Sequence, residues 1–136
     1  MKQELYNDNN DSLTKINDIK NNYLKNMLQV NDLCKTLHCT IEDINILNFN
    51  HKIISVIHNN QQYFPIWQID SFGHLYDFID KVINIIGIDN QWSLIQFFDT
   101  PSYLLDGISP INYLLKNNAK HNLIVTAAKH YNEQSY

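Results

Sequence analysis

The side chains with the clearest capacity for chemistry in this chain are amides: Asn45, Asn48, Asn50, Gln61 and Gln62, with Lys35, Thr40, His51 and Lys52 around them. An Asn or Gln presents a donor and an acceptor that match an adenine edge, while Lys and His contact phosphate. Together they describe a surface able to read double-stranded DNA. The plainer alternative is the solvated face of an asparagine-rich protein. Glu42 and Asp43 lie where phosphates would approach, and they oppose the first reading. All ten basic residues are lysines, so bidentate guanidinium recognition is excluded. A formal charge of −4 argues against coating nucleic acid or an anionic membrane. Any DNA affinity is therefore expected to be modest.

Catalysis has little to stand on. Three glycines cannot build a phosphate-cradling loop. His38, His51, His58, His74, His121 and His130 show no metal-ligand spacing among themselves or with Cys34 and Cys39. Those two cysteines match no zinc pattern and are expected to be reduced, half-buried thiols. Asp77 and Asp80 fall one helical turn apart, which a solvated helix face explains without acid–base chemistry. No enzyme activity, metal or cofactor is expected. The N-terminus lacks an apolar signal, and no apolar run approaches a membrane span, so the expectation is a cytoplasmic protein without membrane contact.

The elements that must position these residues follow from spacing. Residues 1–11 are polar and acidic and read as a loose arm. Leu13, Ile16, Ile19, Tyr23, Leu24, Met27 and Leu28 then recur at three and four, the period of one helix face. Asn31 can cap a short helix over 31–37, and Thr40 a further one in which Ile44 and Leu47 face inward. The acidic pair Glu42–Asp43 suits that helix's positive end. Two helices across a short turn make a helix-turn-helix. The runs 53–58 and 63–69, joined by Asn59-Asn60-Gln61-Gln62, predict a hairpin wing. Pro65 inside the second run is tolerable on an edge strand. Both faces of that run are apolar, so it must pack on further protein.

That further protein reads as helical. Leu75, Phe78, Ile79, Val82, Ile83 and Ile86 form one face, ended by Gly87. Asp89 or Asn90 can cap a helix over 91–98, with Trp92, Ile95 and Phe98 inward. Gly107 supplies a positive φ, Ser109-Pro110 starts a short helix to 115, and 119–131 form the last. The fold class is mainly α with a small β-hairpin wing: a polar arm and N-terminal helix (1–30), a winged helix-turn-helix (31–70) and a helical bundle (71–136). For a protein partner, the aromatic group Trp92, Phe97, Phe98 and Tyr103 and the tail 131–136 stand out. Adjacent helical residues cannot both turn fully inward, so Phe97 is expected to be exposed.

The stretch NDLCKTLHCTIEDINILNFNHKIISVIHNNQQYFPIWQID resembles the MerR/excisionase-like winged helix-turn-helix joined to a tyrosine-proline-x-tryptophan-glutamine strand, here Phe64-Pro65-Ile66-Trp67-Gln68. The stretch from Trp92 to Gln134 resembles the C-terminal domain of the antitoxin Xre/MbcA/ParS toxin-binding group. The matching positions are Trp92, Phe98, Pro101, Leu105, Asp106, Gly107, Ser109, Pro110, Leu114, Ala127, Ala128, Glu133 and Gln134. The resemblance implies a bacterial transcriptional regulator of the antitoxin type, with a DNA-binding head and a helical body that occludes a protein toxin. It implies that Glu133 and Gln134 lie near the toxin; together with Asp106 and Gly107, and with Phe97, Tyr103 and Tyr131 from the aromatic group and tail, they make up the expected partner surface. Two alternatives keep the fold: a MerR-like activator that docks on RNA polymerase or an associated factor, and a protein-binding module without DNA binding. The chain departs from the pattern in lacking arginine and in carrying an N-terminal extension with its own helix, which suggests a homodimer or a different partner.

Overall fold

A computed structural model of the chain describes residues 2–89 and 91–134, without the side chains of 2–12 and 134. The first element is a long helix, α1 (Lys2–Leu24). The expected loose arm is therefore helical, and the helix stops four residues before Leu28. Met27 and Leu28 leave the helix because they form a short strand, β1 (Met27–Leu28), against the hairpin. Helices α2 (Val30–Leu37) and α3 (Ile41–Phe49) follow. Asn31 does not cap α2: the cap position is Gln29, and no side chain bonds there. His38 takes a left-handed conformation (φ 55°) that ends α2. Thr40 then starts α3 with a reciprocal pair of bonds: its hydroxyl accepts from the Asp43 N–H at 3.2 Å, and Asp43 Oδ2 accepts from the Thr40 N–H at 3.0 Å.

Strands β2 (Val56–His58) and β3 (Gln61–Pro65) make the hairpin, with Val56 opposite Tyr63 and His58 opposite Gln61. Its loop is two residues, Asn59 and Asn60, not the expected four. Both have positive φ (52° and 64°), as a tight turn matching strand twist requires. Gln61 and Gln62 belong to β3.

Strand order is β1-β3-β2, so β3 is central and Pro65 is not on an edge strand. Its place is explained by alternation. The next N–H, of Ile66, donates to Asn26 O at 3.1 Å on the β1 side, so the N–H that proline lacks would point the other way, toward Ile54. There Gln68 substitutes for a strand. Its Oε1 accepts from the Ile54 N–H at 2.8 Å and its Nε2 donates to Ile54 O at 2.9 Å, with the side chain fully buried. Proline thus ends the β2–β3 ladder, and an amide occupies the vacated position. Residues 66–68 consequently wind into one 3₁₀ turn rather than continuing the strand. That turn lays Trp67 flat on Phe98, ring centres 4.1 Å apart.

The rear of the molecule is helical: α4 (Ile79–Ile86), α5 (Gln91–Phe98), α6 (Pro110–Leu114) and α7 (His121–Gln134). Helix α4 is shorter than its sequence pattern, because Leu75 pairs with Ile69 and Asp70 Oδ1 accepts from the N–H groups of Phe72 and His74. Asp77 thereby lies outside the helix that carries Asp80. Gly73 (φ 81°) closes this turn so near α2 that a Cβ would lie 3.1 Å from Thr36 O. Ser109 caps α6 by accepting from the Asn112 N–H, with Pro110 as its first residue, as expected. The proposed cap Asn90 lies outside the described residues.

Two cores result. A small one joins Leu33, Ile44, Ile53 and Phe64 beneath α2 and α3. A larger one gathers α4, α5 and α7 and also takes Ile54 and Val56 from the hairpin arm. Phe97 and Phe98 are both buried, contrary to expectation, because α5 is covered on two sides: Trp67 lies on Phe98 and Tyr131 packs against Phe97 at 5.3 Å. Among the described residues no helix is long and apolar enough to cross a membrane.

Candidate nucleic-acid interface and partner cleft

Helix α3 is held by a single fully buried side chain, Ile44, and by half-buried Leu47 and Asn48. The opposite face is open: Glu42, Asn45, Ile46 and Phe49 are exposed, Phe49 at 83%. Lys35 on α2, Thr40 at the cap, and Asn50, His51 and Lys52 after α3 are exposed beside it. His51, with a φ of 55°, turns the chain out of the helix.

The remaining predicted amides are engaged. Asn48 Oδ1 accepts from the Ser55 hydroxyl at 3.2 Å, and Gln62 Nε2 donates to the same hydroxyl at 2.9 Å. This chain clamps α3 to the hairpin, so Asn48 and Gln62 position the surface instead of forming it. Gln61 Oε1 accepts from Gln29 Nε2 at 2.7 Å and from the Tyr63 hydroxyl at 3.0 Å, which pins it to the body. The wing tip is instead Asn59-Asn60, with His58 and exposed Ile57 behind it. Sequence reasoning put the tip two residues late. The Asn-Asn pair was the signal, because only such residues accept two consecutive left-handed conformations readily.

Electrostatics follows from this layout. Backbone and side-chain hydrogen bonds from Thr40 hold the Asp43 carboxyl below its ordinary range, so it stays ionised beside any approaching phosphate. Burial, then Cys34 and Asp43 nearby, push the Cys39 thiol up. Cys34 and Cys39 are both free and half-buried. Among the described residues no group of His, Cys, Asp or Glu has the arrangement of a metal site.

At the other end, Phe97, Tyr103 and Tyr131 meet around one cleft of about 100 Å³ between the 100–103 loop and α7. His130 lines it too. The Tyr103 ring stands edge-on to the His130 imidazole at 5.2 Å, and His130 Nε2 is buried without a hydrogen-bond partner. Tyr103 itself is 71% exposed. Asp106 and Gly107 are apart from this cleft and serve a turn. Both have positive φ (60° and 78°), the Gly107 N–H donates to Ser102 O at 2.9 Å, and Asp106 pairs with Lys116 at 3.0 Å on the surface. Glu133 is exposed near the end of α7, and the Gln134 side chain lies outside the described structure. Sequence reasoning missed His130, whose orphaned nitrogen depends on a fold that no local pattern reveals.

The elements in order, a helix pair across a short turn, a hairpin clamped to its second helix and a helical body behind, make a mainly helical fold with a small three-stranded antiparallel sheet. No protein-family model matches the chain, and no curated protein does. The fold is similar to the NMR structure of Rv2175c, with a TM-score of 0.63 at 13% sequence identity, over 77% of this chain and 80% of that one. At that identity the likeness concerns the fold alone.

Proposed function

We propose that the chain is a DNA-binding transcriptional regulator of the antitoxin type, which contacts promoter DNA through α3 and the hairpin and a protein toxin through its helical rear. The observation that carries the reading is the clamp of Asn48, Ser55 and Gln62, which fixes an open α3 face beside a tight two-residue wing tip. In that pose Asn45 and Asn50 are the amides free to meet a base edge, and Lys35, His51, Lys52, Asn59 and Asn60 are free to meet phosphate and groove. The cleft at Phe97, Tyr103 and Tyr131 is the surface assigned to the protein partner.

The test is selection of duplexes from a random pool followed by anisotropy titration at several salt concentrations. Lys35→Ala and Lys52→Ala should each flatten the salt slope by about one unit, and Asn45→Ala should relax sequence preference at one position. No binding at low salt would overturn the DNA assignment.

A second reading, a protein-binding module without DNA contact, is favoured by one observation. The outward face of α3 is apolar and acidic, with Ile46 and Phe49 exposed beside Glu42 and Asp43. Under that reading, substituting Ile46 and Phe49 abolishes partner capture while the lysine variants do nothing. A transcription-machinery component in place of the toxin is the corresponding variant of the first reading, and it would appear as polymerase recruitment by the intact chain.

A further inference from the structure

Among the described residues, helix α1 is anchored at its C-terminal end. Tyr23 and Leu24 pack on the larger core, the Tyr23 hydroxyl donates to Asp99 at 3.2 Å, and Lys20 Nζ stands 5.0 Å over the Trp92 ring. The same helical face continues beyond that anchor through Ile19, Ile16 and Leu13, which are 56%, 49% and 60% exposed. A face that is covered at one end and stays apolar and exposed over residues 13–19 is a contact surface cut short, since a solvated helix would turn polar there.

Charge along the helix indicates what completes it. Residues 2–12 contain Glu4, Asp8 and Asp11 against Lys2, whereas residues 13–25 contain Lys15, Lys20 and Lys25 against Asp18. The acidic end of the helix is thus complementary to its own basic end, but only when two copies run in opposite directions. We infer that α1 pairs antiparallel with α1 of a second copy of this chain, about a twofold axis near residue 14, with Leu13, Ile16 and Ile19 at the contact. An isologous contact of this kind closes at two copies. It is independent of what the outer face of α3 binds, so failure of DNA binding would leave it untouched.

The experiment is sedimentation of the full chain at low and high salt. Wild type should run at twice the chain mass, and Ile16→Glu with Ile19→Glu should run at the single-chain mass with an unchanged circular dichroism spectrum. Lys15→Glu with Lys20→Glu should also dissociate, and adding Asp8→Lys with Asp11→Lys to it should restore the dimer. In a chain with Cys34→Ser and Cys39→Ser, Leu13→Cys should crosslink to its copy. Ile19→Cys should not, because antiparallel packing separates those positions by about 15 Å along the axis. Monomeric wild type overturns the inference. So does a dimer that survives the double Ile→Glu change, crosslinking at both cysteine positions, which would mean parallel helices, or dissociation caused instead by Ile46→Glu, which would put the interface at α3.

Discussion

Replacing Gln68 should damage this fold more than any other single change to a polar side chain. The amide bonds both backbone groups of Ile54, at 2.8 and 2.9 Å, in a site from which water is excluded. Gln68→Leu keeps most of the volume and leaves a buried N–H and a buried C=O unsatisfied, at about 1–3 kcal/mol each. The sum, about 2–6 kcal/mol, is a large share of the roughly 5–15 kcal/mol that holds a domain of ordinary stability together. Gln68→Glu supplies the acceptor for the Ile54 N–H but faces Ile54 O with a second oxygen. It should be worse than Leu near neutral pH and partly recover in acid, because a protonated carboxyl can donate to that carbonyl. In linkage terms, burial raises the carboxyl's pKa in the folded state, so its stability deficit grows as pH rises through the carboxylate range. Urea titration followed by far-UV circular dichroism measures all three proteins, with the slope checked for constancy. If Gln68→Leu stays within about 0.5 kcal/mol of wild type, the strand-substitute account of Pro65 is wrong.

Several smaller perturbations isolate other parts of the structure. Asn60→Gly should be neutral or mildly stabilising, whereas Asn60→Val should cost about 1–2 kcal/mol in the same urea titration, since its φ is positive. Thr40→Ala should cost about 1 kcal/mol through loss of the α3 cap, and helix content at 222 nm should fall with it. The Asp43 carboxyl titrates below its ordinary value in the fold, so its support of α3 is complete above that ordinary value and is lost as pH falls through the lowered one. Asp43→Asn should remove this acid-side dependence from a thermal melt series. Phe97→Ala should cost about 3–5 kcal/mol as a core deletion, not act as a clean partner-binding variant.

What the sequence made legible is what local chemistry decides. The Thr40 cap, the Ser109-Pro110 start, the positive φ of Gly107 and the helix over 91–98 all depend on residues within a few positions of one another. The misplaced features depend on distant partners. Met27 and Leu28 continue a helical period, yet β3 needs a neighbour and takes them as a strand. Phe97 next to Phe98 looks half exposed until α7 brings Tyr131 over it. Helix α3 and the hairpin were legible as elements, but which of their amides are engaged was not, because an amide in the chain's text does not reveal whether it stays free or braces a backbone.

That ambiguity has a physical consequence for the proposed function. Of the predicted DNA-facing amides, Asn48, Gln61 and Gln62 already hold intramolecular hydrogen bonds, leaving Asn45 and Asn50, with the tip pair Asn59 and Asn60, as free amides. The cations beside them are Lys35 and Lys52, with no arginine in reserve. Two phosphate contacts per copy give a salt dependence of only about tenfold between 50 and 200 mM, too shallow an electrostatic share for tight binding by one chain. Two copies held together double the exponent to about a hundredfold and let two half-sites act at once. A surface this sparse therefore favours use in pairs, and the uncovered apolar face of α1 is the element that could supply the pairing.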